Sequence, residues 1–314
     1  MFPLIKTGFS RRYIRKNGKT KSIVVYSDDK LRQRHKYLKY FIERNTIPST
    51  FAKAYIKNRS VYGMVRAHLY NDFYIKTDIK SFFSNISHDI LINTLYYEIN
   101  KKNKVATLQD CSRIVSECTI SSEGLPIGFV TSPVLSNLYL KSFDGKLYGY
   151  IKKLGFRNPI YTRYADDIVL SFKLSEEMTG FFYKDIIDRI EKYLGEYKLH
   201  LNHKKTKIID FRISNHIKIT GVNITVDSSN YRQISIGRKK IDDFYWQICN
   251  LNKQDIERKV KSLLGMYSYI ISIEGENFEN KLSTKMRDRY INLNCRNLKD
   301  YIHYQHRILT ESES

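Results

Sequence analysis

Tyr164-Ala165-Asp166-Asp167 sets two carboxylates side by side within an otherwise apolar stretch. Ile160 to Tyr164 and Ile168 to Phe172 are rich in β-branched and aromatic residues, which predicts two strands joined by a tight hairpin with the acids at its tip. Adjacent carboxylates repel one another, and a divalent cation bound between them outweighs that repulsion. The chemistry such a pair can serve is metal-assisted phosphoryl transfer. An acidic surface turn satisfies the same four residues, because Asp is a common turn former. Two cations need a further carboxylate from a neighbouring strand. Asp78, closing the apolar alternation of the strand expected over Phe73 to Ile79, is the candidate.

The elements that must hold these acids read off in order. Phe9 to Val25 alternates apolar and basic residues around Lys16-Asn17-Gly18-Lys19, a β-hairpin pattern with a cationic tip. Asp28-Asp29 caps a helix expected over Lys30 to Arg44, and Pro48 opens a second to about Lys57. Ser87 starts a helix to about Asn100, and another covers Val105 to Cys118. Gly124-Leu125-Pro126-Ile127-Gly128 is a loop, after which Thr131-Ser132-Pro133 begins a long helix to about Leu154. A helix over Ser175 to Tyr197 is followed by strands at Lys207 to Ile213, Ile217 to Val226 and Tyr231 to Ile236. Beyond Gly237 only helices are expected: Lys239 to Leu251, Gln254 to Ile273 and Leu298 to Leu309.

Composition narrows the partner. Over 314 residues, 54 Lys and Arg stand against 32 Asp and Glu, a formal charge of +22 and a pI near 9.6. That field attracts a polyanion, and 25 Tyr with 16 Phe supply rings for stacking on bases, so nucleic acid is the expected partner. No apolar stretch is long enough to span a bilayer and Met1 to Ser10 lacks a secretory pattern, so no membrane partner and a cytoplasmic location are expected. Cys111, Cys118, Cys249 and Cys295 show no C-x-x-C pairing, which points to neither a disulfide framework nor a zinc site.

Tyr164-Ala165-Asp166-Asp167 together with Asp78-Ile79-Lys80-Ser81-Phe82-Phe83 resembles the catalytic motifs of reverse transcriptases. Gly124 to Gly128, Thr131-Ser132-Pro133 with Leu135-Ser136-Asn137, and Leu201-Asn202-His203-Lys204-Lys205-Thr206 follow in the family's order. Within the family the chain is most similar to bacterial retron enzymes, through Tyr13 to Lys19, Arg59-Ser60 leading to His68, and Ile219-Thr220-Gly221-Val222-Asn223. It departs from them in Ile127, where Gln is usual, and in Met64 to His68, which keeps only the His of the retron motif.

The resemblance implies an α+β right-hand polymerase. Fingers would cover residues 1–72 with 101–127, a palm of antiparallel sheet and helices 73–100 and 128–236, and an all-helical thumb 237–310; the tail 311–314 is expected to be disordered from its polar composition. It implies two magnesium ions held by Asp78, Asp166, Asp167 and the backbone of Ile79, and deoxynucleoside triphosphates as substrates. Lys16 and Lys21 would meet the triphosphate, Phe83 would exclude a ribose 2′-hydroxyl, and Gly128 would let the backbone approach the nascent base pair. Lys205 would protonate the pyrophosphate. His68, Thr220, Gly221, Arg238, Lys239, Lys240 and Arg258 are the expected contacts to RNA or DNA.

The partners implied are a cognate non-coding RNA that serves as template and 2′-hydroxyl primer, its branched RNA–DNA product, a separate toxic effector in anti-phage defence, and a host ribonuclease H. Two readings stand beside this one. A defence reverse transcriptase outside the retrons would make DNA from a protein primer or without a template, and an RNA-binding scaffold would make none.

Overall fold

A computed structural model describes residues 7–16, 19–122, 124–173 and 183–311. The chain divides into two compact units, one of residues 1–64 with 71–212 and one of residues 65–70 with 213–314.

In the first unit β1 (Phe9–Lys16) and β2 (Lys19–Tyr26) pair antiparallel, from Phe9 opposite Tyr26 to Lys16 opposite Lys19. Asn17 and Gly18, and the side chains of Lys16 and Lys21, lie outside the described residues. Helix α1 (Asp29–Asn45) starts where expected, the Asp28 carboxylate accepting from the amide of Lys30 at 2.8 Å. No helix follows Pro48. The segment from Thr46 to Ser60 is irregular up to α2 (Val61–His68), because its carbonyls are engaged elsewhere: the Arg59 guanidinium donates to Ser49 and Ala52, and Ala52 bridges in parallel to Arg163.

The central sheet has the order β4 (Arg157–Tyr164), β5 (Asp167–Lys173), β3 (Phe73–Asp78), β6 (Lys207–Asp210), antiparallel throughout. Side chains alternate across it with period two. Phe73 and Ile75 of β3 share one face with Ile168, Leu170 and Phe172 of β5 and enter the main core. That core is completed by α3 (His88–Ile99), α4 (Leu108–Glu117), α5 (Ser132–Tyr139), α6 (Lys141–Lys152) and α7 (Tyr183–Gly195), through Leu91, Leu95, Cys111, Leu135, Phe143, Leu147, Ile186 and Ile190. The expected helix over 131–154 is two helices broken at Leu140. Residues 175–182 of the expected Ser175 helix lie outside the described ones.

In the second unit, the segment expected as one strand over Ile217 to Val226 is a hairpin of β7 (His216–Ile219) and β8 (Val222–Val226). Thr220 and Gly221 turn it, with φ of 47° and 86°, the pair of positive values that a two-residue turn between twisted strands takes. β9 (Arg232–Ser235) pairs with β8. Helices α8 (Arg238–Cys249), α9 (Ile256–Glu274) and α11 (Leu298–Glu311) lie near their expected bounds. α10 (Thr284–Ile291) has no counterpart in the sequence reading, because Tyr290 alone is buried along it and no apolar period marks it. Residues 312–314 lie outside the described ones. Among the described residues no helix is long and apolar enough to cross a membrane.

Candidate active site

The alternation that sends Phe73 and Ile75 into the core sends Lys76 and Asp78 to the opposite face. Asp167 stands directly opposite Asp78 in the β3–β5 register, on that same face. Tyr164 pairs with Asp167 across the hairpin, which leaves Ala165 and Asp166 as its two turn residues. Ala165 has φ of 55°, a left-handed conformation that costs a non-glycine residue about 1 kcal/mol. The amide of Ile79 donates to the carbonyl of Asp166 at 3.0 Å, locking the turn to the end of β3. Asp78 and the adjacent pair Asp166 and Asp167, far from it in sequence, are thus brought to the same end of the sheet.

Their electrostatics are those of crowded acids. Burial raises the pKa of Asp166, and Asp78 and Asp167 add to the rise. Burial also raises that of Asp167, with Asp78 adding and Lys76 opposing. Asp78, only 7% exposed, faces a cation: Nζ of Lys205 donates to its Oδ1 at 2.7 Å, and Nδ2 of Asn202 to its Oδ2 at 3.3 Å. The hydrogen bond to Asp78 is the main reason that the Lys205 pKa is raised. The Asn202–Lys205 turn is itself tied to β3, since the amide of Asn202 donates to the carbonyl of Asp78 at 2.7 Å and that of Lys80 to His200 at 2.8 Å.

Hard oxygen donors of this kind suit a divalent cation such as magnesium. Among the described residues no three His, Cys, Asp or Glu side chains already converge on one point. Asp78 is turned to Lys205 instead. The donor chemistry and the shared face fit a cation, and ligation would exchange the Lys205 contact for the metal.

Beneath the hairpin lies a network that the sequence reading missed. Arg163 pairs with Ile168 in the β4–β5 register, so it points into the core and is fully buried. Its Nε and Nη2 donate to the two oxygens of Asp144 on α6, both at 2.8 Å, and Nη1 donates to the carbonyl of Ala165 at 3.1 Å. The Tyr161 hydroxyl donates to Asp144 at 2.7 Å. Asn137 of α5 accepts from Arg163 at 3.4 Å and donates to the carbonyl of Ala54 at 2.8 Å. The signal was available: an arginine at a core position of a strand demands a buried acid.

The remaining expected residues fall as follows. Phe83 is half-buried in a short turn (Phe82–Asn85) after β3, its ring edge-on to Phe82. Its carbonyl accepts from Leu125 at 2.7 Å, fastening the Gly124 loop to it. Gly128 has φ of 120°, and a Cβ there would lie 1.9 Å from the carbonyl oxygen of Val24. The close approach it permits is therefore to β2, whose Val24 amide donates to the carbonyl of Ile127 at 2.7 Å.

In the second unit, His68, the last residue of α2, is fully buried. Thr220 and Gly221 form the β7–β8 turn, the Thr220 hydroxyl buried without a hydrogen-bond partner. Arg238 is paired with Asp242 at 3.0 Å, Lys240 lies 4.8 Å from the centre of the Tyr269 ring, and Lys239 and Arg258 are exposed.

Three carboxylates at the end of an antiparallel sheet, beside a hairpin turn and a lysine, make a candidate site for metal-assisted phosphoryl transfer. A family profile for reverse transcriptase (RNA-dependent DNA polymerase) matches residues 14–224. The chain belongs to that family, and the relatives it resembles over most of its length are of the retron type. It is 27% identical to the Escherichia coli retron Ec73 reverse transcriptase over 80% of this chain and 79% of that protein. With the E. coli retron Ec86 reverse transcriptase it is 24% identical over 77% of this chain and 69% of that one.

Among solved structures it resembles apo telomerase from Candida tropicalis, with a TM-score of 0.52 and 13% identity, covering 98% of this chain and 62% of that one. It also resembles telomerase from Candida albicans in complex with a TWJ fragment of telomeric RNA, with a TM-score of 0.53 and 10% identity, over 96% and 61%. The chain thus spans about three fifths of those telomerase chains. The likeness is one of fold, an α+β polymerase fold.

Proposed function

We propose that the chain is a retron reverse transcriptase that copies its own non-coding RNA into DNA, priming from a 2′-hydroxyl of that RNA to leave a branched RNA–DNA product. The observation that carries the reading is the register of Asp78 opposite Asp167, with Asp166 in the adjoining turn. Support for the retron assignment comes from the relatives, whose names are those of retron reverse transcriptases.

In this reading residues 1–72 with 101–127 are fingers, 73–100 and 128–236 palm, and 237–310 thumb. Asp78, Asp166, Asp167 and the Ile79 backbone would hold magnesium, which would acidify the attacking hydroxyl and offset the charge of the triphosphate. The hydroxyl gives up its proton to water, its oxygen forms a new bond to the α-phosphorus of a deoxynucleoside triphosphate, and the bond from that phosphorus to the α,β-bridging oxygen breaks to release pyrophosphate. Lys205, protonated and paired with Asp78 until the carboxylate takes up the metal, is then free to give its proton to the departing pyrophosphate. Phe83, fixed through its carbonyl to Leu125, closes the space that a ribose 2′-hydroxyl would need. Lys16 and Lys21 meet the triphosphate, while Gly128 acts by letting β2 approach the loop. Exposed Arg258 and Lys239 grip the phosphates of the RNA, a contact that weakens with salt. A separate effector protein, restrained by the RNA–DNA complex, would make the system an anti-phage defence, and a host ribonuclease H would trim the template.

Sequencing the nucleic acid that copurifies with the chain tests the proposal. A branched hybrid of one defined RNA and its DNA copy is expected. Homopolymeric or random DNA joined to protein would overturn it.

A further inference from the structure

Tyr55 holds a backbone conformation that its side chain disfavours. Its φ is 61°, in the left-handed region, which for a bulky residue costs about 1–3 kcal/mol and persists only where the surroundings enforce it. They do so from both sides. Ala52, fully buried, bridges to Arg163, with the amide of Lys53 donating to the Arg163 carbonyl at 2.7 Å and that of Arg163 to Phe51 at 2.9 Å. The carbonyl of Ala54 is held by Asn137 at 2.8 Å, and Arg59 closes the loop onto Ser49 and Ala52.

This anchoring fixes an aromatic ring in the open. Tyr55 is 52% exposed, and its ring centre lies 6.3 Å from that of Tyr164, tilted by 42°. Tyr164 is the residue paired with Asp167 in the catalytic hairpin. Burial raises the phenol pKa of Tyr55, and the charges of Tyr164 and Asp166 raise it further. Two neighbouring tyrosine rings therefore stand at the start of the turn that carries Asp166, one on the sheet and one on a loop clamped to its edge strand.

We propose that Tyr55 is a substrate-contact residue whose exposed ring, with Tyr164, packs against the 3′-terminal nucleotide of the growing strand and sets its hydroxyl at the carboxylates. The inference rests on the polymerase reading of the site. A polynucleotide end is the occupant that fits, because the attacking hydroxyl must lie at Asp166 and its own base and sugar are the nearest flat, stackable groups. The formal charge of +22 favours the same polyanion.

The test uses the full chain with an RNA template annealed to a DNA primer that ends in 2-aminopurine. Tyr55→Gly removes the ring at no backbone cost, since glycine accepts φ of 61° freely, and its thermal unfolding should match the parent's. The expected result is a Kd for template–primer raised about 5- to 100-fold, as stacking on one base implies. The quenching of 2-aminopurine seen with the parent should be lost, Tyr55→Phe should restore both, and the KM for the nucleotide triphosphate should be unchanged. Unaltered Kd and quenching in Tyr55→Gly would overturn the proposal, as would a rise confined to the KM for triphosphate. A parent that binds and quenches but incorporates no nucleotide would leave Tyr55 in place and overturn the polymerase reading instead.

Discussion

Replacing Asp144 by leucine leaves the Arg163 guanidinium charged and fully buried with no counter-ion. Removing one partner of a buried ion pair costs about 3–5 kcal/mol. The Tyr161 hydroxyl also loses its acceptor, a further loss of about 1 kcal/mol. Asp144→Leu should therefore lower the thermal midpoint by roughly 10 °C. Combining it with Arg163→Met and Tyr161→Phe replaces the network by apolar groups of similar size, a change that is close to neutral for stability. Activity should part company with stability in that triple variant. The Ala165 carbonyl will have lost the charged donor that holds the catalytic turn at 3.1 Å, an interaction of about 1.5–3 kcal/mol. Nucleotide incorporation should remain roughly 10- to 100-fold below the parent. Differential scanning fluorimetry and a primer-extension assay on the parent, single and triple variants decide it. A triple variant that regains both stability and full activity would refute a positioning role for Arg163.

Three further outcomes follow from the geometry. Asp166 and Asp167 have folded-state pKa values raised above their unfolded ones, so they oppose folding once ionised; that penalty is absent below the unfolded value and complete above the folded one. In EDTA, Asp166→Asn should therefore be more stable than the parent at pH 7 and indistinguishable from it near pH 3, and magnesium should stabilise the parent but not the variant in thermal melts. Gly128→Ala drives a Cβ into the Val24 carbonyl at a φ that glycine tolerates best, and should cost more than about 1 kcal/mol in urea unfolding. Phe83→Val should relax the discrimination between deoxy- and ribonucleotides by about tenfold or more in competing incorporation assays, with the thermal midpoint little changed.

The sheet and the placement of its acids were legible because they rest on period-two alternation: Phe73 to Asp78 and Ile168 to Phe172 read as strands from residue types alone, and the same parity puts Asp78 and Asp167 on the face away from the core. The Asp28 cap was equally local. What escaped depends on tertiary partners. Pro48 reads as a helix start, yet Arg59 and Arg163 claim the carbonyls and amides that a helix would need. Arg163 carries no local signal of its partner, and only its register sets it facing Asp144. At Gly128 no local signal announces that the backbone of Val24 occupies the space a Cβ would take.

The most direct test of the proposed site is template-directed incorporation of deoxynucleotides by the purified chain and by an Asp166→Asn, Asp167→Asn variant, on an RNA template with a DNA primer. The parent should extend the primer in magnesium, and the variant should be at least about a thousandfold slower while binding template–primer as well as the parent. Equal extension by the two would show that the hairpin acids are not the catalytic ones.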